Sequence, residues 1–221
     1  MFSEKDTKLE PLPASKKAIS VGVSGLRKRD SHIFAREPYD HYLEPEWVSE
    51  RLFAVEAFKG TILDPACGWC RITQAAERAG HKTLGGDIVR RHALQKYERD
   101  FLGSAYWPPI GGIVCNPPFN LMQEFIERAC EVMKNSVILA KVAMICPVRR
   151  LPAATWLEKL PLATVLLLTP RPSMPTAEHV QAGGKVGGGT QDYCWLVFKR
   201  GWHMGRPPKM DWLHRNEVHL L

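Results

Sequence analysis

The chain has 221 residues, 45% of them hydrophobic, and a formal net charge of +7. That length suits one domain with ends to spare, and that composition supports a sizeable buried core. No apolar run reaches the roughly 18 residues of a membrane span, and Met1 to Lys17 is charged without the apolar centre of a secretory signal, so the expectation is no membrane contact and a cytoplasmic location. The basic balance fits a polyanionic partner, nucleic acid being the usual one, and fits plain solubility equally well.

Residues 1–30 read as a flexible basic arm, 31–200 as the main domain and 201–221 as a C-terminal tail. From Pro45 a helix is expected, with Trp47, Val48, Leu52, Phe53 and Phe58 near helical spacing and Gly60 as its stop. Thr61 to Leu63 reads as a first strand and Arg71 to Ala79 as a helix with Ile72, Ala75 and Ala76 on one face. His81 to Gly86 reads as a second strand ending at Asp87. Val89 to Tyr97 is predicted helical, and Asp100 to Leu102 a short third strand. Gly111 to Cys115 is the fourth strand, and Leu121 to Met133 a helix with Phe125 and Ala129 facing inward. Ser136 to Cys146 is a near-continuous apolar run, the pattern of a strand covered on both faces. Trp156 falls in a short helix. Ala163 to Leu168 and Asp192 to Lys199 are the last strands, separated by a long loop that holds three prolines and five glycines. Loops of that length inside a domain are usually functional or disordered. The alternation of strand and helix points to a doubly wound, largely parallel sheet.

Six cysteines are spread over the core elements, which fits buried thiols better than a disulfide framework. Cys67 and Cys70 form a C-x-x-C, but no second pair of metal ligands accompanies it, so no metal site is expected.

Two segments carry the chemistry. The first is Asp64-Pro65-Ala66-Cys67-Gly68-Trp69-Cys70, at the end of the first strand. A carboxylate there can accept from a ligand ammonium, Gly68 lets backbone approach a ligand, and the unpaired N–H groups of the next helix face the same place. The G-x-G-x-x-G dinucleotide fingerprint is missing. Asp87 ends the second strand, where an acid can grip a ribose diol, or it caps the helix expected at Val89. Asp100 and Phe101 are placed to meet an adenine amine and cover its ring. The second segment is Asn116-Pro117-Pro118-Phe119. Its prolines end the strand and project the Asn116 side chain, with the Pro117 carbonyl as a second acceptor. Two acceptors on an exocyclic amine draw its delocalised lone pair toward a nucleophilic geometry, and Phe119 offers a face for a flat base.

On these residues the chain resembles class I S-adenosylmethionine-dependent amino-methyltransferases, and among them the small phage-type DNA N6-adenine methyltransferases. Asp64 to Gly68 is similar to that family's D-P-x-C-G-x-G cofactor motif, and Asn116 to Phe119 to its [DNS]-P-P-[YFW] motif. Asp40 to Trp47 resembles a D-x-Y-x-T-P-x-W segment, and Asp192 to Phe198 the final strand of phage relatives. The resemblance covers about residues 39–199. It implies a Rossmann-like α/β fold, seven-stranded and mostly parallel, with helices on both faces and an antiparallel final strand. It implies S-adenosylmethionine as cofactor, held by Tyr42, Asp64, Ala66, Cys67, Gly68, Asp87, Asp100 and Phe101. It implies catalysis by Asn116, Pro117, Pro118 and Phe119 on the N6 amine of adenine in DNA.

This chain departs from the family at three places: Cys70 replaces a glycine, Trp69 is bulky, and Glu44 replaces a threonine. No sizeable target-recognition domain is expected, so the reading of DNA sequence is expected to fall to the arm, the glycine-rich loop and the tail. The same motif pair also fits an RNA adenine or a protein glutamine amide as substrate. A catalytically idle nucleic-acid binder with the same fold is the rival from another class.

Overall fold

A computed structural model of the chain describes residues 42–103, 107–203 and 205–216. The expected arm, together with Asp40 and His41 of the upstream segment, lies outside those residues. The elements follow in the order α1 (Glu46–Val55), β1 (Ile62–Asp64), α2 (Arg71–Arg78), β2 (Thr83–Asp87), β3 (Tyr97–Glu98), β4 (Gly112–Cys115), α3 (Met122–Asn135), β5 (Lys141–Pro147), β6 (Leu162–Thr169), α4 (Ala177–Gln181), β7 (Tyr193–Lys199) and β8 (Lys209–His214). They build one eight-stranded sheet in the order β3-β2-β1-β4-β5-β7-β6-β8. All neighbours run parallel except β7, which pairs antiparallel with both β5 and β6.

The central strands alternate between two buried faces. Leu63, Ile113, Val142, Met144 and Leu196 pack with α3 on one side. Ile62, Val114, Ala143, Ile145 and Trp195 pack with α1 and α2 on the other. Burial on both faces is why these strands read as continuous apolar runs rather than alternating ones. Trp195 ties the layers together by donating its ring N–H to the Val48 carbonyl of α1 at 3.1 Å.

Four stretches differ from the sequence expectation. No helix forms over Val89 to Tyr97. There the buried Gln95 accepts the Arg91 N–H at 3.0 Å and donates to the Tyr97 carbonyl at 2.9 Å, so a side chain takes partners that a helix would use itself. The third strand is Tyr97–Glu98 on the edge beside β2, and Asp100 to Leu102 is a turn in which Asp100 accepts the Leu102 N–H. The strand expected from Ser136 begins only at Lys141, because the Ser136 hydroxyl accepts the N–H groups of Ile138 and Leu139 and leaves Val137 92% exposed. The expected tail contains β8, which adds to β6 in parallel from Thr164↔Lys209 to Thr169↔His214. Among the described residues the sheet therefore has eight strands and not seven. The antiparallel member is the expected one, Tyr193–Lys199.

The loop after β6 is folded. It carries α4 and bridges back to the start of the described chain, Tyr42 pairing with Thr176 and the Leu43 N–H reaching the Pro175 carbonyl at 2.9 Å. Its glycines permit close approach: a Cβ on Gly189 would lie 2.2 Å from the Pro172 carbonyl oxygen.

Leu213 of β8 is 2% exposed and packs in the same cluster as Val48 and Leu168. Leu213→Ala is expected to destabilise the protein by about 2–5 kcal/mol, read as a lower urea midpoint. A neutral result would restore the tail.

Candidate functional site

β1, β2 and β4 are neighbours and parallel, so their carboxyl ends open on one rim of the sheet, where ligands of open α/β sheets bind. Asp64 at the end of β1 is buried, accepts the Ala66 N–H at 3.3 Å and meets the Cys115 thiol. Burial, and next the charge of Glu44, hold its carboxyl well above the usual range. The chain then turns through Gly68 (φ 47°) and Cys70 (φ 61°) into α2. Cys70 is the one non-glycine residue with positive φ among the described residues, a conformation that costs on the order of 1 kcal/mol. The turn is held by the Cys70 N–H on the Cys67 carbonyl at 2.6 Å, by the two thiols at 3.6 Å, and by the Thr73 hydroxyl on the Cys70 carbonyl. The bend that the resemblance assigns to glycine is thus made by cysteine.

Glu44, at the entry to α1, is 5% exposed. Burial pushes its carboxyl up, while hydrogen bonds to its own backbone and to Asn116 and the charge of Arg71 pull the other way. Asn116 at the end of β4 donates both amide N–H bonds, to the Tyr42 carbonyl and to Glu44 Oε2, each at 2.9 Å. Arg71 donates to the Glu44 carbonyl at 2.8 Å.

Two cavities meet here. A chamber of about 20 Å³ is lined by Glu44, Asp64, Cys67, Gly68, Trp69 and Arg71 among others. A cleft of about 200 Å³ is lined by Asp87, Ile88, Asp100, Phe101, Pro118 and Leu121 among others. Ala66 and Asn116 line both, so the two adjoin at these residues. Asp87 has work of its own in the fold: its two oxygens accept the Gly68 N–H at 3.0 Å and the Val89 N–H at 3.1 Å, and Arg91 lies 3.8 Å away.

The sequence-selected residues fall into three groups. Asp64, Ala66, Cys67, Gly68 and Asn116 surround the chamber, with Tyr42 contributing its carbonyl. Asp87, Asp100, Phe101 and Pro118 line the cleft. Phe101 lines it only from within the core: it is buried, against Phe125 at 5.3 Å and Trp107 at 6.0 Å. Pro117 is buried. Phe119 is set between Tyr42, nearly parallel at 6.1 Å, and Tyr193 at 5.7 Å. Sequence reasoning missed Arg71, Ile88, Arg91 and Arg99 at the cavity walls. Ile88 directly follows the acid that ends β2, and Arg71 opens the helix after the glycine turn; those positions were the available signals.

No family model matches the chain, and no curated protein does. Among solved structures it is similar to the 23S rRNA methyltransferase ErmE (12% identity, TM-score 0.49, covering 76% of this chain and 73% of that one). It is similar to a dimethyladenosine transferase from Plasmodium falciparum (12%, 0.47, covering 72% and 62%). It is also similar to a TehB-like S-adenosylmethionine-dependent methyltransferase from Corynebacterium glutamicum (16%, 0.44, covering 69% and 86%). At these identities and TM-scores the description of the fold rests on this chain's own strand order.

Raised carboxyls make a signed prediction. In the window above their ordinary values, Glu44 and Asp64 hold more protons folded than unfolded, so stability falls as pH rises through it. Glu44→Gln should therefore stabilise the ligand-free protein more at pH 8 than at pH 5, read from Tm in the two buffers. An equal effect at both pH values would mean that Glu44 is ionised throughout.

Proposed function

We propose that this chain transfers a methyl group from S-adenosylmethionine to the N6 amine of adenine in DNA. One observation carries the reading: Asn116 stands at the junction of an acidic chamber and a larger cleft. The donor set suits that cofactor. Glu44 and Asp64 are two buried carboxylates in mutual repulsion, and a ligand ammonium between them relieves both desolvation and repulsion. Asp87 and Asp100 present acceptors to the cleft for a diol and a ring amine, and Ile88 and Leu102 give it apolar walls. Bound there, S-adenosylmethionine supplies an electrophilic methyl carried on a positively charged sulfur.

The chain's own residues do the rest by positioning. Both N–H bonds of Asn116 point into protein, so its Oδ1 is the atom that accepts from an incoming amine. An adenine amine is beyond reach inside a duplex, so the base leaves the stack. The partly exposed rings of Phe119 and Tyr42, backed by the buried Tyr193, offer a surface for it. The net charge of +7 supports a polyanionic substrate.

Asn116→Ala is expected to lower kcat at least about 100-fold while calorimetric affinity for S-adenosylmethionine stays within a few-fold. Asp87→Ala is expected to weaken that affinity about tenfold or more; unchanged binding would leave Asp87 a purely structural anchor of the Gly68 turn. The substrate is tested with labelled S-adenosylmethionine offered to duplex DNA, single-stranded DNA, RNA and protein, followed by nucleoside analysis. Label in N6-methyladenine from DNA is the expected result, label in RNA or protein moves the reaction to that substrate, and no label with no cofactor binding removes it.

A further inference from the structure

We propose that Glu44 is a positioning residue that decides which atom of the Asn116 amide faces the incoming amine. The inference rests on the role given to Asn116 above, and it is carried by geometry particular to this chain. An asparagine amide has a donor end and an acceptor end of nearly the same shape, and only the acceptor end serves an amine that must give up an N–H. The Tyr42 carbonyl is an acceptor and nothing else, so the Asn116 group 2.9 Å from it is Nδ2. Glu44 Oε2, also at 2.9 Å, takes the second N–H of the same nitrogen.

Each partner alone holds one N–H. Together they engage both, and with Glu44 as the carboxylate the flipped amide would set Oδ1 against two oxygens that only accept. The contact is partly buried, on the buried carboxyl of Glu44, which reduces its screening by water. Glu44 is itself fixed from two sides. Arg71 donates to its carbonyl at 2.8 Å, and the preceding residue, Leu43, donates its N–H to Pro175 at 2.9 Å. A flipped Asn116 would present N–H to N–H across the junction and repel the substrate.

The test needs Glu44→Ala, Glu44→Gln, Asn116→Ala and the Glu44→Ala/Asn116→Ala double variant. In the cofactor-free protein, the Asn116 side-chain amide protons are followed by hydrogen exchange in ¹⁵N-resolved spectra. Glu44→Ala is expected to speed their exchange about tenfold or more, and Glu44→Gln, which keeps an acceptor oxygen, to restore most of the protection. In turnover at saturating cofactor, Glu44→Ala is expected to lower kcat about ten- to a hundredfold, with no further loss when Asn116 is already alanine. Losses that multiply, or an exchange rate unmoved by Glu44→Ala, would overturn the proposal, since Glu44 would then act on something other than Asn116. If the wild type methylates no amine, the proposed reaction fails, while the exchange rates still report whether Glu44 holds the amide.

Discussion

The position of β1 between β2 and β4 is the constraint from which the site follows. Parallel pairing on both sides puts three strand ends on one rim, and each end carries an acid or an amide: Asp64, Asp87 and Asn116. Residues far apart in sequence are then separated only by the spacing of neighbouring strands. The turn through Gly68 and Cys70 is tied across the same rim, its Gly68 N–H on Asp87 and its Cys67 N–H on the Gly86 carbonyl. Glycine at 85 leaves the room that this crossing needs, since a Cβ there would lie 3.1 Å from the Cys67 sulfur, and glycine at 86 makes room for Trp107.

Electrostatics gives that rim its bias. Two carboxyl groups share a chamber whose wall also carries Arg71, and that guanidinium bonds the Glu44 carbonyl oxygen. Folding thus leaves acidity there only partly compensated. Sites of this kind are costly to a protein without its ligand and favourable to a cationic one, which is how perturbed acids come to mark functional places.

Much of this was legible in the sequence, for a physical reason. The strands that lead into Asp64 and Asn116 are short apolar runs broken by a following proline, and that signal is local. What failed was decided by side chains acting at a distance or against propensity. Gln95 reads as a good helix former, yet its buried amide takes backbone groups and makes an irregular loop. Ser136 reads as one residue in an apolar run, yet its hydroxyl holds a turn and leaves Val137 in water. Lys209 to His214 has one buried residue in six, so its strand exists because β6 offers an edge. Glu44 stood out only as an odd residue in a motif; its bond to Asn116 needs the fold. Phe101, selected for a ring it could cover, lines the cleft and is at the same time packed into the core.

The bridge between Tyr42 and Thr176 gives the glycine-rich loop a mechanical part in the molecule. The segment that hands Asn116 its two acceptors is stitched to the loop at Thr176 and at Pro175. Beyond α4 the chain returns to the sheet past Gly189, which is pressed against Pro172. The loop is therefore a strut with a fixed near limb, and its geometry is transmitted to the chamber wall. Related chains have room to lengthen or shorten it around Gly188, where an added Cβ would meet nothing within 4 Å, whereas a change before Thr176 bears on the segment that lines the pocket, however far from the pocket it lies in sequence.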